Sequence, residues 1–273
     1  MTSNTKTIQG VDVPALGLGT YELSGEVCRE AIVTAIETGY RHVDTARAYE
    51  NEEDVGAGLA ESGIERDQIF LTSKVWFEDL NFTSVLTEVN ASLKALQTDY
   101  LDLALIHWPN REIPLQDTFA ALQRLRDDGL ILQFGVSNFT PRWLKAALDI
   151  TPLFCNQVEF HPLLRRDELN RMAVENDMLL TAYSPLAQGK IRGCDALEAI
   201  ARKHGKTPEQ ISLRWLLDHP NVAAIPRSSN PEHISDNFQV WDFELDQDDN
   251  AAIAALPNGQ RQIDPEFAPA WEV

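Results

Sequence analysis

The stretch GYRHVDT (39–45) decides the fold, together with the two runs that follow it, IFLTSK (69–74) and LDLALIHW (101–108). All three runs are apolar or β-branched, as buried strands require, and each leads into one or two reactive side chains. Those side chains are Asp44, Tyr49, Lys74 and His107. Asp44 and Lys74 lie 30 residues apart and Lys74 and His107 lie 33 apart, about the length of one strand, one helix and the return. The spacing predicts parallel βα units whose reactive groups meet at the carboxyl ends of the strands.

Five further runs extend this pattern along the chain. They are short and apolar and end in polar groups, and they comprise ALGLGTY (15–21), ILQFGVSN (131–138), FCNQVEF (154–160), LLTAYSP (179–185) and VAAIPRS (222–228). The segments between runs have helical spacing of apolar residues. Pro141 and Pro208 stand where a first helical turn tolerates a missing N–H, and Gly39 and Gly129 stand where helices commonly stop.

Eight strands alternating with helices predict a single (β/α)8 TIM barrel, one domain over residues 1–273. The alternative is an open doubly wound sheet, which usually carries a GxGxxG turn after its first strand. The nearest string here, Gly17-Leu18-Gly19, continues into Tyr21 and Glu22 and opens no helix. The barrel is therefore the favoured architecture.

Composition limits the classes of partner. The chain has 42 acidic and 23 basic residues and a formal charge of −19, which argues against nucleic acid or an anionic membrane as partner. No run approaches the roughly 18 apolar residues of a membrane helix, and the amino terminus lacks an apolar signal region, so we expect a cytoplasmic protein. Cys28, Cys155 and Cys194 share no CxxC spacing, which favours reduced thiols over disulfides or a metal site.

The acidity itself has two interpretations. Only 7 of the 23 cations are lysines, and acidity with few lysines is typical of salt-adapted, halophilic proteins, although ordinary acidity explains it nearly as well. In either case the overall electrostatic field of the protein is negative, so an anionic cofactor needs positively charged side chains at its binding site.

The motifs resemble those of the aldo-keto reductases along the whole chain. The strings that carry the resemblance are GYRHVDTARAYENE, SKVW, LIHWP, GVSNF, NQVEFHP, AYSPL and IPRSSNPEHISDN, and the tail GQRQIDPEFAPAW is most similar to the bacterial 2,5-diketogluconate reductase and methylglyoxal reductase type. The resemblance implies a barrel with an N-terminal β-hairpin and a C-terminal tail over the active-site mouth. It also implies a nicotinamide cofactor across that mouth and no metal.

The four reactive residues have the chemistry that carbonyl reduction needs. A phenol can protonate the developing alkoxide if its pKa, normally about 10, is brought toward the working pH. Lys74 favours the phenolate of Tyr49 by its opposite charge, and Asp44 would keep Lys74 charged and aimed. His107 can donate from one ring nitrogen to the carbonyl oxygen. Each residue alone is more often packing or surface, but together they predict a catalytic set with Tyr49 as the proton donor.

The resemblance assigns the cofactor residues. It places Ser137, Asn138 and Gln157 around the nicotinamide carboxamide and Tyr183 against the ring, with a core aromatic as the alternative for Tyr183. Ser184 and Leu186 resemble contacts on the pyrophosphate side, although loop packing would also explain them.

The segment IPRSSNPEHISDN is where the family holds the adenosine 2′-phosphate. The family usually has a Lys at the position of Arg227 and an Arg at the position of His233. Arg227 keeps a permanent cation suited to phosphate, whereas a histidine such as His233 is mostly neutral near pH 7. NADPH is therefore the expected cofactor, with NADH possible. Ser228 and Asn237 are further adenosine-side candidates, or else helix-cap groups.

Aromatic residues after the first strands predict the walls of a pocket for a small-molecule carbonyl substrate. Tyr21, Trp76 and Trp108 would reach the same mouth, with barrel packing as the alternative. Phe267 and Trp271 either cover the pocket or fasten the tail. Arg111 is the candidate cation for an anionic substrate, and a surface ion pair with Glu112 is the alternative.

The sequence thus predicts an NADPH-dependent reductase of aldehydes and ketones, acting as a monomer. Two alternatives remain: an NAD(H)-linked alcohol oxidiser of the same fold, and a non-catalytic nucleotide-binding module. A metal-dependent barrel hydrolase would need several clustered ligands at strand ends, and His107 is the only histidine at such an end.

Overall fold

Eight parallel strands form a closed barrel in the computed structural model, which describes residues 4–271. The strands are β3 (Leu18–Gly19), β4 (His42–Asp44), β5 (Phe70–Val75), β6 (Leu101–Ile106), β7 (Ile131–Ser137), β8 (Cys155–Glu159), β9 (Leu179–Tyr183) and β10 (Val222–Ala224). Each pairs in parallel with the next, and a bridge between Leu16 and Ala224 joins the two edges. The Gly19 N–H continues this seam by donating to the Pro226 carbonyl at 3.0 Å. The predicted (β/α)8 barrel is confirmed.

The helices alternate with these strands and form the outer layer. They are α1 (Gly25–Thr38), α2 (Glu52–Glu61), α3 (Phe82–Ala95), α4 (Leu115–Asp127), α5 (Pro141–Leu148), α6 (Asp167–Glu175), α7 (Asp195–His204), α8 (Pro208–Leu217), α9 (Pro231–Phe238) and α10 (Gln247–Ala254). Pro141 and Pro208 each begin a helix, as predicted. Gly39 ends α1 with φ 121°, a conformation that side chains with a Cβ rarely adopt. Within residues 4–271, no helix is long and apolar enough to cross a membrane.

A short hairpin closes the amino-terminal end of the barrel. Strands β1 (Thr5–Ile8) and β2 (Val11–Pro14) are antiparallel. Their buried Ile8 and Val13 pack with Phe70 and Phe154 at the strand beginnings, which removes apolar surface from water. The Lys6 ammonium donates to the carbonyls of Leu217 and His219, both at 2.7 Å, and so caps the end of α8. This is the N-terminal hairpin that the family resemblance implied.

The carboxyl-terminal tail crosses the opposite, carboxyl end of the barrel. The fully buried Glu159 accepts hydrogen bonds from the backbone N–H of Gln262 at 2.7 Å and of Ile263 at 3.1 Å. The Gln260 N–H donates to the Leu163 carbonyl at 2.9 Å. A buried carboxylate that accepts two amide hydrogens is a strong anchor, because the charge strengthens each bond. The tail is thereby held over the mouth, as expected.

Candidate active site

One large cavity, of about 960 Å³, opens at the carboxyl ends of the strands. Most of the residues singled out in the sequence line it: Tyr21, Asp44, Tyr49, Trp76, His107, Trp108, Ser137, Asn138, Gln157, Tyr183, Ser184, Leu186 and Arg227. They come from strands that are far apart in sequence and meet because a parallel barrel gathers its strand ends at one face. Lys74 lies beneath the cavity, bonded to residues that line it.

The Lys74 ammonium is held by three oxygen atoms. It donates to Asp44 Oδ1 at 2.6 Å, to the Thr45 carbonyl at 2.8 Å and to the Tyr49 hydroxyl at 3.4 Å. Lys74 and Asp44 are both buried. Since an ammonium has three donors, all of them are directed and the side chain has one defined position. The structure thus brings Asp44, Lys74 and Tyr49 together, as predicted.

The pKa values of this group are set by burial and charge. Burial opposes the charge on Lys74, but Asp44 and Tyr49 outweigh it and hold the pKa of Lys74 above its ordinary value. For Tyr49, burial raises the pKa more than the Lys74 charge lowers it, so the net shift is upward. The sequence led us to expect a net lowering by Lys74. That effect is present, but at 3.4 Å it does not offset the loss of water around the phenol. Tyr49 is consequently protonated at neutral pH, as a proton donor must be.

His107 supplies a neutral imidazole beside this phenol. Its ring centroid lies 5.5 Å from that of Tyr49. Burial, and then the charge on Lys74, hold its pKa well below the usual value. Neither ring nitrogen has a hydrogen-bond partner among residues 4–271, and Nδ1 is buried. The ring is therefore uncharged at neutral pH and able to donate one hydrogen bond to a ligand.

Asn51 fixes the loop that carries Tyr49. Its amide nitrogen donates to the carbonyls of Thr20 and Leu23, both at 2.8 Å, and its oxygen accepts from the Thr45 hydroxyl at 2.8 Å. Asn51 is buried, so these bonds are shielded from water. No sequence pattern singled out Asn51, although it lies within the string GYRHVDTARAYENE.

A hydrogen-bonded row crosses the centre of the cavity. The Tyr183 hydroxyl donates to Asn138 Oδ1 at 2.7 Å, and Asn138 Nδ2 donates to the His107 carbonyl at 3.0 Å. Ser137 Oγ donates to the Gln157 carbonyl at 2.9 Å, and Gln157 Nε2 donates to Asp44 Oδ2 at 2.6 Å. The bond from Gln157 Nε2 to Asp44 links the candidate cofactor-binding residues to the candidate catalytic residues. The sequence did not reveal this contact.

These residues fit a nicotinamide carboxamide. Gln157 Oε1 has no hydrogen-bond partner among the described residues, so it is free to accept from an amide N–H. Tyr183 is half-buried with its hydroxyl fixed, which leaves an aromatic face available for stacking. Ser184 has φ of 45°, a left-handed conformation that is unfavourable for most residues with a Cβ and concentrates at functional sites, and Asn138 has φ of 64°, a conformation that asparagine tolerates.

The adenosine-side candidates are less closely gathered. Arg227 lines the cavity and pairs with Glu22 at 2.7 Å. Ser228 Oγ accepts from the Asn230 N–H at 3.0 Å, a contact within the turn before α9, whereas the N-cap of that helix is Asn230, which accepts from the Glu232 N–H. His233 is exposed on α9 and Asn237 is buried on the same helix. Ser228, His233 and Asn237 are not among the residues that line the cavity, so their predicted contacts with a cofactor stay predictions.

Aromatic side chains wall the remaining part of the cavity. Tyr21 meets the Tyr49 ring edge-on with centroids 5.1 Å apart. The Phe267 ring lies 5.4 Å from both Trp76 and Trp108 and covers them from the tail. Phe267 thus covers this part of the pocket, which is one of the two roles expected for it.

Trp271 and Arg111 lie outside this cavity. Trp271 Nε1 donates to Asp264 at 2.7 Å and its ring packs on Arg261, so it fastens the tail. Arg111 lines a second cavity of about 310 Å³, which shares Phe267 with the first. Within residues 4–271 Arg111 makes no ion pair, with Glu112 or any other acid. The substrate role predicted for Arg111 therefore lacks geometric support at the main mouth.

Comparison with known proteins shows which family the chain resembles. The model of the aldo/keto reductase family matches residues 15–258. A glyoxal reductase of Bacillus subtilis (strain 168) is 44% identical over 260 residues, 94% of this chain and 93% of the relative. Methylglyoxal reductase DkgB of Escherichia coli O157:H7 is 37% identical over 266 residues, 95% and 99% of the two chains.

Solved structures agree as well. A crystal structure assigned as a 2,5-diketo-D-gluconic acid reductase B superposes with a TM-score of 0.96 at 35% identity, covering 98% of this chain and 97% of the other. The fold, the family match and the reductase relatives identify an oxidoreductase. The chain belongs to the aldo/keto reductase family.

Proposed function

We propose that this enzyme reduces small aldehydes and ketones to alcohols with NADPH, and that Tyr49 donates the proton. One observation carries the proposal. The Tyr49 oxygen accepts a hydrogen bond from Lys74, while its own proton has no acceptor among the described residues. A phenol held in this way, in a cavity and beside a neutral imidazole, is poised to protonate an oxygen atom of a ligand.

The side chains divide the work on a bound carbonyl. When bound, a nicotinamide nucleotide supplies the hydride that reduces the carbonyl carbon. His107 donates a hydrogen bond that orients the carbonyl oxygen toward Tyr49, and Tyr49 transfers its proton to that oxygen as negative charge develops there. Lys74, kept charged by Asp44, stabilises the phenolate that remains. Gln157 ties this group to the cofactor side, because it donates to Asp44.

The cation at the cavity edge favours NADPH. Arg227 is the only Lys or Arg among the cavity-lining residues that the structure describes. A guanidinium binds a phosphate through a pair of charge-assisted hydrogen bonds, and NADPH differs from NADH by one phosphate. The site also admits NADH, because Arg227 is partly neutralised by Glu22 and His233 stands where the family usually has a second cation.

Small dicarbonyls are the proposed substrates. Two relatives are named for reduction of glyoxal and methylglyoxal. The walls near Tyr49 are aromatic, from Tyr21, Trp76 and Trp108, and suit small apolar or neutral molecules. Sugar-derived and aromatic aldehydes fit the same walls, whereas an anionic substrate would meet the acidic side chains of Glu22 and Asp264.

A substrate and cofactor panel tests the proposal. Purified protein is given glyoxal, methylglyoxal, an aromatic aldehyde or a sugar keto acid with either NADPH or NADH, and loss of reduced-cofactor absorbance is followed. We expect the highest kcat/KM for a neutral dicarbonyl with NADPH. Absence of turnover with every carbonyl, or faster alcohol oxidation with NAD⁺, would overturn the proposal.

We also propose that the chain acts as a cytoplasmic monomer. The high net negative charge opposes self-association, because like copies repel. Light scattering at physiological salt checks the mass, and a dimer would contradict it.

A further inference from the structure

Glu22 and Arg227 face each other across the seam where the barrel closes. Glu22 follows β3 and Arg227 follows β10, and the Gly19 N–H joins the two segments by donating to the Pro226 carbonyl at 3.0 Å. Both side chains line the large cavity. Their pairing is therefore a feature of the cavity edge, although the residues are 205 positions apart in sequence.

The ion pair neutralises the cation that a phosphate would use. Arg227 Nη2 lies 2.7 Å from Glu22 Oε2, and Glu22 is the only ion-pair partner of Arg227 among the described residues. Glu22 has φ of 60°, a left-handed conformation that is unfavourable for a residue with a Cβ. The backbone thus holds this carboxylate beside Arg227 at a conformational cost, which favours a role over chance placement.

We propose that Glu22 is a specificity-determining residue, which lowers the preference for NADPH over NADH by competing with the 2′-phosphate for the Arg227 guanidinium. The inference rests on the proposed function. A phosphate that reaches Arg227 must share its donors with Glu22 and also lie near a like charge, which weakens binding. NADH has no phosphate there, so Glu22 leaves its affinity largely unchanged. No second lysine or arginine lines the described cavity to offset this effect.

The test is Glu22→Gln, which removes the charge and keeps the size and hydrogen-bonding capacity. Dissociation constants for NADPH and NADH are measured by fluorescence titration, without any substrate. We expect NADPH to bind roughly 3- to 10-fold more tightly in the variant, as expected for removal of a partly exposed charge, and NADH to change by less than about 2-fold.

Two controls isolate the mechanism. Glu26→Gln removes the same charge from α1, where Glu26 pairs with Arg29 outside the cavity, and should leave both constants unchanged. In the double variant Glu22→Gln/Arg227→Ala the gain for NADPH should disappear, because it acts through Arg227.

The outcomes separate this inference from the function on which it rests. Unchanged or weaker NADPH binding in Glu22→Gln, an equal gain for NADH, or a gain that survives in the double variant would overturn the role of Glu22 alone. A wild-type protein that binds neither nucleotide would overturn the proposed function, and this inference with it.

Discussion

The floor of the cavity and its rim are built on opposite electrostatic principles. The floor, formed by Asp44, Lys74 and Gln157, is buried, and its charges are met by hydrogen bonds of 2.6 Å. The rim, formed by Glu22 and Arg227, has a similarly short ion pair at 2.7 Å, but both side chains are exposed. Charges interact much more strongly out of water. The floor is therefore suited to fixed chemistry, and the rim to adjustable binding.

Removing the Tyr49 hydroxyl should have the largest effect. Tyr49→Phe deletes the hydroxyl to which Lys74 donates, and with it the proposed proton donor, so kcat should fall by about 10²-fold or more while nucleotide affinity persists. Steady-state kinetics and a nucleotide titration measure the two quantities. Tyr100→Phe, the same change directly before β6, is the matched control and should keep wild-type kcat. A kcat close to wild type in Tyr49→Phe would contradict the assignment.

Replacement of Lys74, the cation in the cavity floor, should have the second-largest effect. Lys74→Met leaves the Asp44 carboxylate buried without its ion-pair partner and raises the pKa of Tyr49 further. We expect kcat to fall by about 10- to 100-fold, and thermal stability to fall as well. Lys94→Met, on the exposed side of α3, should change neither quantity. If the variant retains wild-type kcat with intact folding, Lys74 does not act on Tyr49.

Arg227→Ala tests the rim. Only NADPH has the phosphate that the guanidinium would bind, so its dissociation constant should rise by about 10-fold, and that of NADH by less than about 2-fold. Arg29→Ala, which removes a cation that pairs with Glu26 outside the cavity, controls for net charge. An equal loss for the two nucleotides would place the phosphate elsewhere.

Burial of histidines makes the fold sensitive to acid. Burial lowers the pKa of His42, His107 and His219 in the folded chain. Below pH of about 6.5 the unfolded chain binds these protons and the folded chain does not, so stability is complete above that pH and is lost as pH falls. We expect the free energy of unfolding to drop by about 1.4 kcal/mol per pH unit for each such histidine.

Urea unfolding on both sides of pH of about 6.5 measures this slope. His219→Gln removes one of these buried imidazoles, so the slope should become smaller in that variant. A stability that does not vary with pH in this range would show that the buried rings take up protons without unfolding.

The smallest effect is expected at Arg111, in the second cavity. If this arginine reaches a carboxylate, Arg111→Ala should raise KM for an anionic keto acid by about 3-fold and leave neutral methylglyoxal unchanged. Equal effects on both substrates, or on neither, would limit substrate binding to the main cavity. Neutral carbonyls would then be the preferred substrates.

The floor could be predicted from the sequence, because its residues sit at regular positions in repeating units. The approximate 30-residue spacing of Asp44, Lys74 and His107 indicated three successive strand ends, and the barrel places them together. The glycines and prolines that end or begin helices were equally local signals, as Gly39 and Pro141 show.

The rest depends on contacts that no local pattern encodes. Gln157 reaches Asp44 across 113 residues, and Glu22 reaches Arg227 across 205. Both contacts exist only once the barrel has closed. The net pKa of Tyr49 also depends on how much water the fold removes, which the residue types alone do not give. Arg111 was placed at the mouth by its distance along the chain, but Phe267 lies between its cavity and the main one.

The anchor of the tail has a consequence for how such an enzyme can diversify. Glu159 binds the main-chain amides of Gln262 and Ile263, so the attachment does not depend on which side chains those positions carry. Ile263, Pro265 and Phe267 line the mouth from this anchored segment. Mutational libraries confined to these positions would vary the shape of the entrance while the attachment persists. We therefore expect substitutions at these positions to alter substrate range without loss of the tail's attachment, which is a favourable starting point for directed evolution.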